Sequence, residues 1–210
     1  MSIQERKERE KIQRRELILN AASDIIAVEG IENLSVRKIA NKIEYSPAIV
    51  YHYFEDKDDI VNQLMNKGYQ KIIDALSLAL EASDQPDRRL KELTKNYINT
   101  ALMMPDEFMA VHLSSSPAVL DHTASLFKGA SLKNPALGIL FQSLKDILKE
   151  QGILDSSIEL TAQVFISAVL GLIIKLIVEN IDGEQRTRLI EHLIKCIVDG
   201  MVLGKSLEND

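Results

Sequence analysis

Residues 34–54, LSVRKIANKIEYSPAIVYHYF, decide the fold of this chain. The first part, 35–43, has apolar residues three or four apart and opens with a serine that can cap a helix. The second part, 46–54, opens with Ser46-Pro47, an N-cap followed by proline at the first helical position. Two helices of this length, joined by a turn of about three residues, have helix-turn-helix geometry.

Longer helices are predicted on both sides of this pair. Upstream, apolar residues at helical spacing predict a helix over 10–28 that ends at Glu29-Gly30, where glycine takes the left-handed conformation easily. Downstream, a helix is predicted from near Asp56 to about Ser83. At ~1.5 Å per residue it spans about 40 Å, long enough to link two modules.

The rest of the chain also has apolar residues at helical spacing. No alternating strand pattern is found. A break at 83–86 separates it from the long helix. Helices are predicted near 87–104, 106–115, 117–128, 135–151, 157–181 and 185–204. Their start and stop signals are Ser116-Pro117, Asn134-Pro135, a capping box at 156–159, Gly152 and Gly183. The predicted fold class is all-α.

Composition excludes several classes of protein. The 210 residues are 46% hydrophobic and 27% charged, as in ordinary soluble globular chains. The single cysteine, Cys196, excludes an internal disulfide framework. His112, His122 and Asp121 lack ligand spacing, and neither a nucleophile–base pair nor a phosphate loop is found, so we expect no metal, no cofactor and no enzymatic activity. The opening MSIQERKEREKIQRRE lacks the apolar core of a signal peptide, which favours a cytoplasmic location.

Charge is distributed unevenly along the chain. The total is −6, yet residues 1–53 hold nine Lys/Arg against eight Asp/Glu. Residues 54–210 hold sixteen against twenty-three. Six of the first fifteen residues are basic and three are acidic. This pattern is compatible with a nucleic-acid-binding module on an acidic body, and equally with the solvated face of a first helix.

The residues of the two short helices resemble the DNA-binding domain of TetR-family transcriptional regulators. The resemblance rests on LSVRKIA at 34–40, on the run SPAIVYHYF at 46–54 and on Lys57, and it covers about 12–72. It implies a DNA-binding domain over 1–56, with the helix-turn-helix at 35–54, and a helical regulatory and dimerisation domain over 57–210.

The resemblance also implies particular DNA contacts. They are Arg37, Ser46, Pro47, Ala48, Tyr51, His52 and Lys57. Tyr51 and Lys57 match positions that hold phosphates. His52 and Arg37 match positions that face the major groove, where an arginine can bind guanine through two hydrogen bonds.

Simpler explanations remain open for these side chains. Tyr51 can close the small core, and Lys57 can be an ordinary solvated lysine. Arg37 can pair with Glu32 or Asp24 on the surface. For His52, too, an ordinary surface position and a DNA contact both remain open.

Glu44 departs from the family pattern, which usually has glycine in the turn. A glutamate with positive φ costs about 1–2 kcal/mol. Either the turn has another shape in this chain, or the strain is accepted.

The last two predicted helices indicate a homodimer. Segment 164–174 is the most apolar run, but Lys175 interrupts it after eleven residues, so a buried helix is favoured over a membrane span. The helix over 185–204 has two adjacent apolar rows, which favours a four-helix dimer interface over burial within one chain. The predicted interface residues are Ala168, Gly171, Leu193, Ile197 and Gly200.

The larger half is expected to bind a small apolar effector. The candidate pocket residues are Met103, Met104, Phe108, His112, Phe127, Phe141 and Phe165, although a plain hydrophobic core also explains them. The predicted function is a repressor on an inverted-repeat DNA operator, released when an effector shifts the long helix. The alternatives are a DNA-bound protein that acts through a protein partner, and a helical enzyme or lipid carrier. A membrane partner is not expected.

Overall fold

The computed structural model describes residues 3–80, 83–148 and 151–202, and within them all regular structure is helical. The helices are α1 (Ile3–Glu29), α2 (Val36–Lys42), α3 (Pro47–Tyr53), α4 (Lys57–Leu80), α5 (Pro86–Leu102), α6 (Pro105–His112), α7 (Pro117–Thr123), α8 (Ala130–Lys133), α9 (Pro135–Leu148), α10 (Asp155–Val178) and α11 (Gly183–Ile194). A 3₁₀ turn lies at Ile31–Asn33, and a π-helical segment, Lys195–Val202, continues α11. The all-α prediction is confirmed.

The described residues form two compact units. The first lies within Met1–Tyr69 and Asp106–Thr123, and the second within Gln70–Pro105 and Ala124–Asp210. This division follows packing, so the first unit includes the beginning of α4 and two later helices. The predicted functional boundary between residues 56 and 57 stays a prediction.

The first unit is built around the apolar faces of α1 to α4. Its buried side chains include Ile18, Ala22, Ile39, Ala40, Val50, Phe54, Ile60, Val61 and Val119. Helix α1 begins seven residues before its predicted start. Residues 4–9 are polar and exposed, and an i,i+4 ion pair between Arg6 and Glu10 (3.0 Å) supports the added turns.

The second unit has its own core, formed mainly by α5, α9, α10 and α11. Its buried members include Leu90, Ile98, Leu140, Leu144, Phe165, Val169, Ile173, Leu176, Ile190 and Ile194. Gly138 on α9 is required by a close approach, since a Cβ built there would lie 2.7 Å from the backbone oxygen of Ser131.

The prediction of one helix over 117–128 is wrong. Helix α7 ends at Thr123, and a loop and the short helix α8 follow. The loop is held by the side chain of Gln163, whose Nε2 donates to the carbonyl oxygens of Ser125 (2.8 Å) and Phe127 (2.9 Å). These bonds join residues more than 35 positions apart, so the local pattern could not reveal them.

The predicted capping box at 156–159 is also wrong. Helix α10 begins at Asp155 with Leu154 as its N-cap. The carboxylate of Glu159 instead accepts hydrogen bonds from the backbone N–H of Gly129 (2.9 Å) and from the N–H and hydroxyl of Ser131 (3.1 and 2.7 Å). The bond from Gly129, followed by those from Ser131, lowers the pKa of Glu159.

Asn180, rather than Gly183, ends α10. Asn180 has a φ of 51°, and the N–H of Ile181 donates to the carbonyl of Leu176 (2.9 Å), which closes the helix in a Schellman motif. Gly183 is the first residue of α11. The predicted end of the last helix, at residue 204, lies outside the described residues.

Helix α10 is long and apolar enough, by length and composition alone, to cross a membrane. Its most apolar 18-residue window has a mean hydropathy of 2.2, and 33% of that window is buried inside the structure. A core helix of a soluble protein meets the same criterion. Three large apolar side chains of the helix, Leu160, Val164 and Val178, are exposed.

Candidate nucleic-acid interface

Helix α2 is positioned by its cap and its apolar face. The Ser35 hydroxyl accepts a hydrogen bond from the N–H of Lys38 (3.3 Å), as predicted. Val36, Ile39 and Ala40 face the core of the first unit. The other side of α2, which includes Arg37, therefore lies at the surface.

The turn after α2 has the shape that a glycine usually provides. Glu44 has a φ of 58°, and its N–H donates to the carbonyl of Asn41 (3.2 Å). The N–H of Tyr45 donates to the carbonyl of Ala40 (2.9 Å). These two bonds form a Schellman motif, so the turn has the usual shape and Glu44 accepts the strain.

Helix α3 presents a short polar surface above a buried anchor. It begins at Pro47, as predicted, and Val50 is fully buried beneath it. Tyr51 is 57% exposed, and His52 beside it is exposed as well. Within the described residues the Ser46 hydroxyl makes no capping bond to the helix, so it can bond to another molecule. Because Tyr51 points away from the core, the alternative in which it closes the core is not favoured.

The beginning of α4 is held by two aspartates. The N–H of Asp59 donates to Asp56 (2.8 Å), and the carboxylate of Asp59 accepts from the N–H of Glu55 (3.1 Å). This reciprocal pair resembles a capping box and fixes the turn between α3 and α4. Lys57, the first residue of α4, is half-buried at this turn.

Other residues occupy the acids that could have paired with Arg37. Asp24 forms an ion pair with Lys42 (3.1 Å), and Glu32 accepts a hydrogen bond from Ser114 (3.1 Å). This weakens the interpretation of Arg37 as half of a surface ion pair.

All seven residues predicted to contact DNA lie where another molecule can reach them. Arg37, Ser46, Ala48, Tyr51 and His52 are exposed, whereas Pro47 and Lys57 are half-buried. They lie on α2, on α3 and its N-cap, and at the beginning of α4, all in the first unit. Their individual roles toward DNA stay predictions.

Two arginines of α1 were missed by the residue-level prediction. A hydrogen bond to the side chain of Tyr53 raises the pKa of Arg14. The guanidinium of Arg15 donates to the Tyr53 carbonyl (2.7 Å) and to Gln63 (2.5 Å). The basic start of the chain was the available signal, but it did not distinguish these two residues from the other four.

The predicted effector residues do not form one described cavity. Met103 is 84% exposed and Phe127 is exposed too, whereas Phe108 and Phe165 are buried. Met104 and Phe141 are half-buried. Their role as an effector pocket stays a prediction.

Phe108 and His112 do meet. Their ring centroids are 4.0 Å apart, and the Nδ1 of His112 lies 3.0 Å from the Phe108 carbonyl oxygen. Desolvation by burial lowers the pKa of His112, against the opposing effect of this backbone bond.

A different cleft lies in the second unit, with a volume of about 500 Å³. Its lining residues are Leu80, Arg89, Pro135, Gly138, Ile139, Gln142, Ser143 and Asp146. Arg89 and Asp146 form an ion pair across 2.8 Å. The cleft thus combines aliphatic side chains with one charged pair.

The predicted dimer residues differ in accessibility. Ala168 and Gly171 are exposed on α10, and Leu193 and Gly200 are half-buried. Ile197 is 3% exposed and belongs to the core of the second unit. Within the described residues, no group of three or more His, Cys, Asp or Glu could hold a metal ion.

Residues 18–64 match the family model described as bacterial regulatory proteins, tetR family. The HTH-type transcriptional regulator BetI of Brucella canis is 32% identical over 83 residues, which are 40% of this chain and 41% of BetI. An HTH-type transcriptional regulator of Mycobacterium tuberculosis is 28% identical over 107 residues, 50% of this chain and 45% of that protein. The matched region thus spans less than half the length of these curated relatives.

Solved structures share the fold over about nine tenths of the chain. A TetR-like transcriptional regulator from Rhodococcus sp. RHA1 superposes with a TM-score of 0.69 at 18% identity, covering 91% of this chain and 97% of that one. The fatty acid degradation regulator FadR from Bacillus halodurans gives a TM-score of 0.63 at 18% identity, covering 89% and 95%.

The two short helices, their Schellman turn and the capped start of α4 define a helix-turn-helix protein. With the match over residues 18–64, this part of the chain is similar to the TetR family.

Proposed function

We propose that this protein is a homodimeric transcriptional repressor that binds an inverted-repeat DNA operator and releases it when a small apolar effector binds. One observation carries the proposal: α3 anchors Val50 in the core and presents Tyr51 and His52 outward, and Lys57 begins the next helix, separated from α3 by three residues. A recognition helix in a major groove requires this arrangement.

The proposed contacts fall into two kinds. Tyr51 and Lys57 bind phosphates, which positions the module without reading sequence. Arg37 and His52 face base edges, and the apolar Pro47 and Ala48 favour contact with thymine methyl groups. Sequence preference then comes from few hydrogen bonds and in part from DNA shape.

The surface of α10 supports a homodimer. Leu160 and Val164 are 63% and 56% exposed, although they lie on a helix of high mean hydropathy. Ala168 and Gly171 continue this row at helical spacing and are small enough for a second helix to approach closely. A second copy would cover the row, and two modules related by a two-fold axis require half-sites about 34 Å apart or a multiple of it.

A small effector would bind in the open cleft of the second unit. Its volume of about 500 Å³ lies within the usual range for a small-molecule site, roughly 300–1,000 Å³. Leu80, Pro135 and Ile139 offer aliphatic contact. An effector releases DNA only if it binds the DNA-incompetent arrangement more tightly than the competent one.

Enrichment of duplexes from a random-sequence pool tests the proposal. Wild-type protein should enrich an inverted repeat, and Tyr51→Phe and Lys57→Ala should bind the enriched duplex more weakly. Lys133→Ala is a matched control, since Lys133 is an exposed lysine of the second unit. If no duplex is enriched, or if all three variants bind as wild type does, the proposed DNA-binding surface is wrong. Enriched DNA that a panel of apolar compounds never releases would favour regulation through a protein partner.

A further inference from the structure

We propose that Arg15 is a positioning residue for the DNA-binding surface. Its guanidinium fixes the end of the recognition helix α3 and the start of α4 against α1, and it thereby sets where Tyr51 and Lys57 meet DNA. This inference rests on the proposed function. It adds a residue outside the helix-turn-helix that controls how well the motif binds.

The first contact of Arg15 is with the end of α3. One terminal nitrogen of its guanidinium donates to the carbonyl oxygen of Tyr53, the last residue of α3, across 2.7 Å. The last carbonyls of a helix have no partner within that helix, and the helix dipole places partial negative charge there. A guanidinium from another helix therefore satisfies this end both as a donor and as a cation.

The second contact leads to α4. The other terminal nitrogen of Arg15 donates to the Oε1 of Gln63 (2.5 Å), and the Nε2 of Gln63 donates to Asp59 (2.8 Å). Asp59 in turn accepts from the N–H of Glu55 in the turn between α3 and α4. The chain of bonds from Arg15 through Gln63 thus reaches the turn from which Lys57 extends.

The third contact orients the guanidinium. Its central carbon lies 4.6 Å from the centroid of the Phe54 ring, and Phe54 is buried. Stacking on the ring holds the planar group so that its two terminal nitrogens point to different helices. Lysine has the same charge but neither the fork nor the plane, so it cannot make both bonds and stack.

The groups that Arg15 reaches, directly or through Gln63, lie within two residues of the proposed phosphate-binding residues. Tyr51 lies two residues before the carbonyl that Arg15 binds. Lys57 lies two residues before Asp59, at the other end of the same bond chain. Without Arg15, the Tyr53 carbonyl and the Gln63 side chain lose their hydrogen bonds to α1. Arg14 still bonds to the side chain of Tyr53, but no bond from α1 then reaches the turn through Gln63, and the spacing of the two DNA-contacting side chains is less firmly fixed.

The experiment compares Arg15→Lys and Arg15→Ala with Lys11→Ala, which removes an exposed positive charge one turn earlier on α1. Binding to the enriched duplex is measured at several salt concentrations. Circular dichroism and urea titration establish the folded fraction of each variant, so that affinity refers to folded protein. Lys57→Ala is combined with Arg15→Lys and with Lys11→Ala in double-mutant cycles.

Loss of the charge-assisted bonds should weaken binding about tenfold in Arg15→Lys and at least as much in Arg15→Ala, against about threefold or less in Lys11→Ala. The salt slope should fall in Arg15→Lys although the charge is retained, because the Lys57–phosphate contact is lost. Lys57→Ala should weaken DNA binding little further when it is combined with Arg15→Lys. Combined with Lys11→Ala, it should weaken binding by as much as it does alone. Lower stability of the fold alone would change neither the salt slope nor this coupling.

Three results would overturn the inference. If Arg15→Lys binds DNA with wild-type affinity, Arg15 contributes only its positive charge. Independent, multiplying effects of Arg15→Lys and Lys57→Ala would show that Arg15 does not act through Lys57. If the wild-type protein itself enriches no duplex, the proposed function falls and the inference with it, whereas the first two results leave the proposed function intact.

Discussion

Replacing Glu44 by glycine should stabilise the protein. Glu44 has a φ of 58° at the C′ position of a Schellman motif, where an L side chain costs about 1–2 kcal/mol. Glycine removes this strain but loses about 0.5–1 kcal/mol of backbone entropy on folding, which leaves a net gain of about 0.5–1 kcal/mol. With a urea m-value of about 2 kcal/mol/M, the unfolding midpoint in urea should rise by about 0.3–0.5 M.

Two controls separate strain from charge in this experiment. Glu44→Gln removes the charge and keeps the side chain, so its midpoint should stay close to that of wild type. Asn180→Gly makes the same change at the other non-glycine residue with positive φ in the described part of the chain, and it should gain less because asparagine tolerates this conformation. The reasoning is refuted if Glu44→Gly leaves the midpoint unchanged or lowers it, or if Glu44→Gln matches the gain.

Three further predictions follow from the second unit and from α4. Gly138→Ala should lower the free energy of unfolding by about 1–3 kcal/mol in urea titrations, since its Cβ would lie 2.7 Å from the backbone oxygen of Ser131. Gly68→Ala should not lower it, because Gly68 on α4 has open space around it, and equal effects of the two variants would contradict the steric argument. The folded-state pKa of Glu159 is lowered, so the stability that its carboxylate contributes is present above the unfolded-state pKa and is lost as pH falls through the folded-state pKa. The urea midpoints of wild type and Glu159→Gln should therefore differ at pH 7 and converge in acid, and a difference that is constant with pH would contradict this. Val164→Glu should shift the sedimenting species from dimer to monomer at micromolar concentration, and a wild-type monomer would exclude the proposed interface.

Local signals predicted the helix starts well. Proline at the first helical position was recognised at Pro47, Pro117 and Pro135, and each of them begins a helix. Asn134 also caps α9, since its side-chain oxygen accepts from the N–H of Leu137 (3.1 Å). These signals act within one turn of helix, so they can be read without knowing the fold.

The errors involve side chains that bond far along the chain. Glu159 fits a local capping box by sequence, yet it bonds to residues about thirty positions earlier. Gln163 likewise holds a loop that was predicted to be helix. Arg15 was one of six basic residues near the start of the chain, and its contacts with Tyr53, Phe54 and Gln63 in the folded protein distinguish it. Partner choice of this kind is decided by tertiary structure rather than by spacing.

A salt titration of Lys57→Ala on the enriched duplex and on a scrambled duplex tests the central claim most directly. If Lys57 holds a phosphate in each protomer, the variant should weaken binding by the same factor on both duplexes. The slope of log affinity against log salt should then fall by about 2 for a dimer. Wild-type protein should still prefer the enriched duplex in the same assay. An unchanged slope, or a wild-type protein that binds both duplexes equally, would contradict the account.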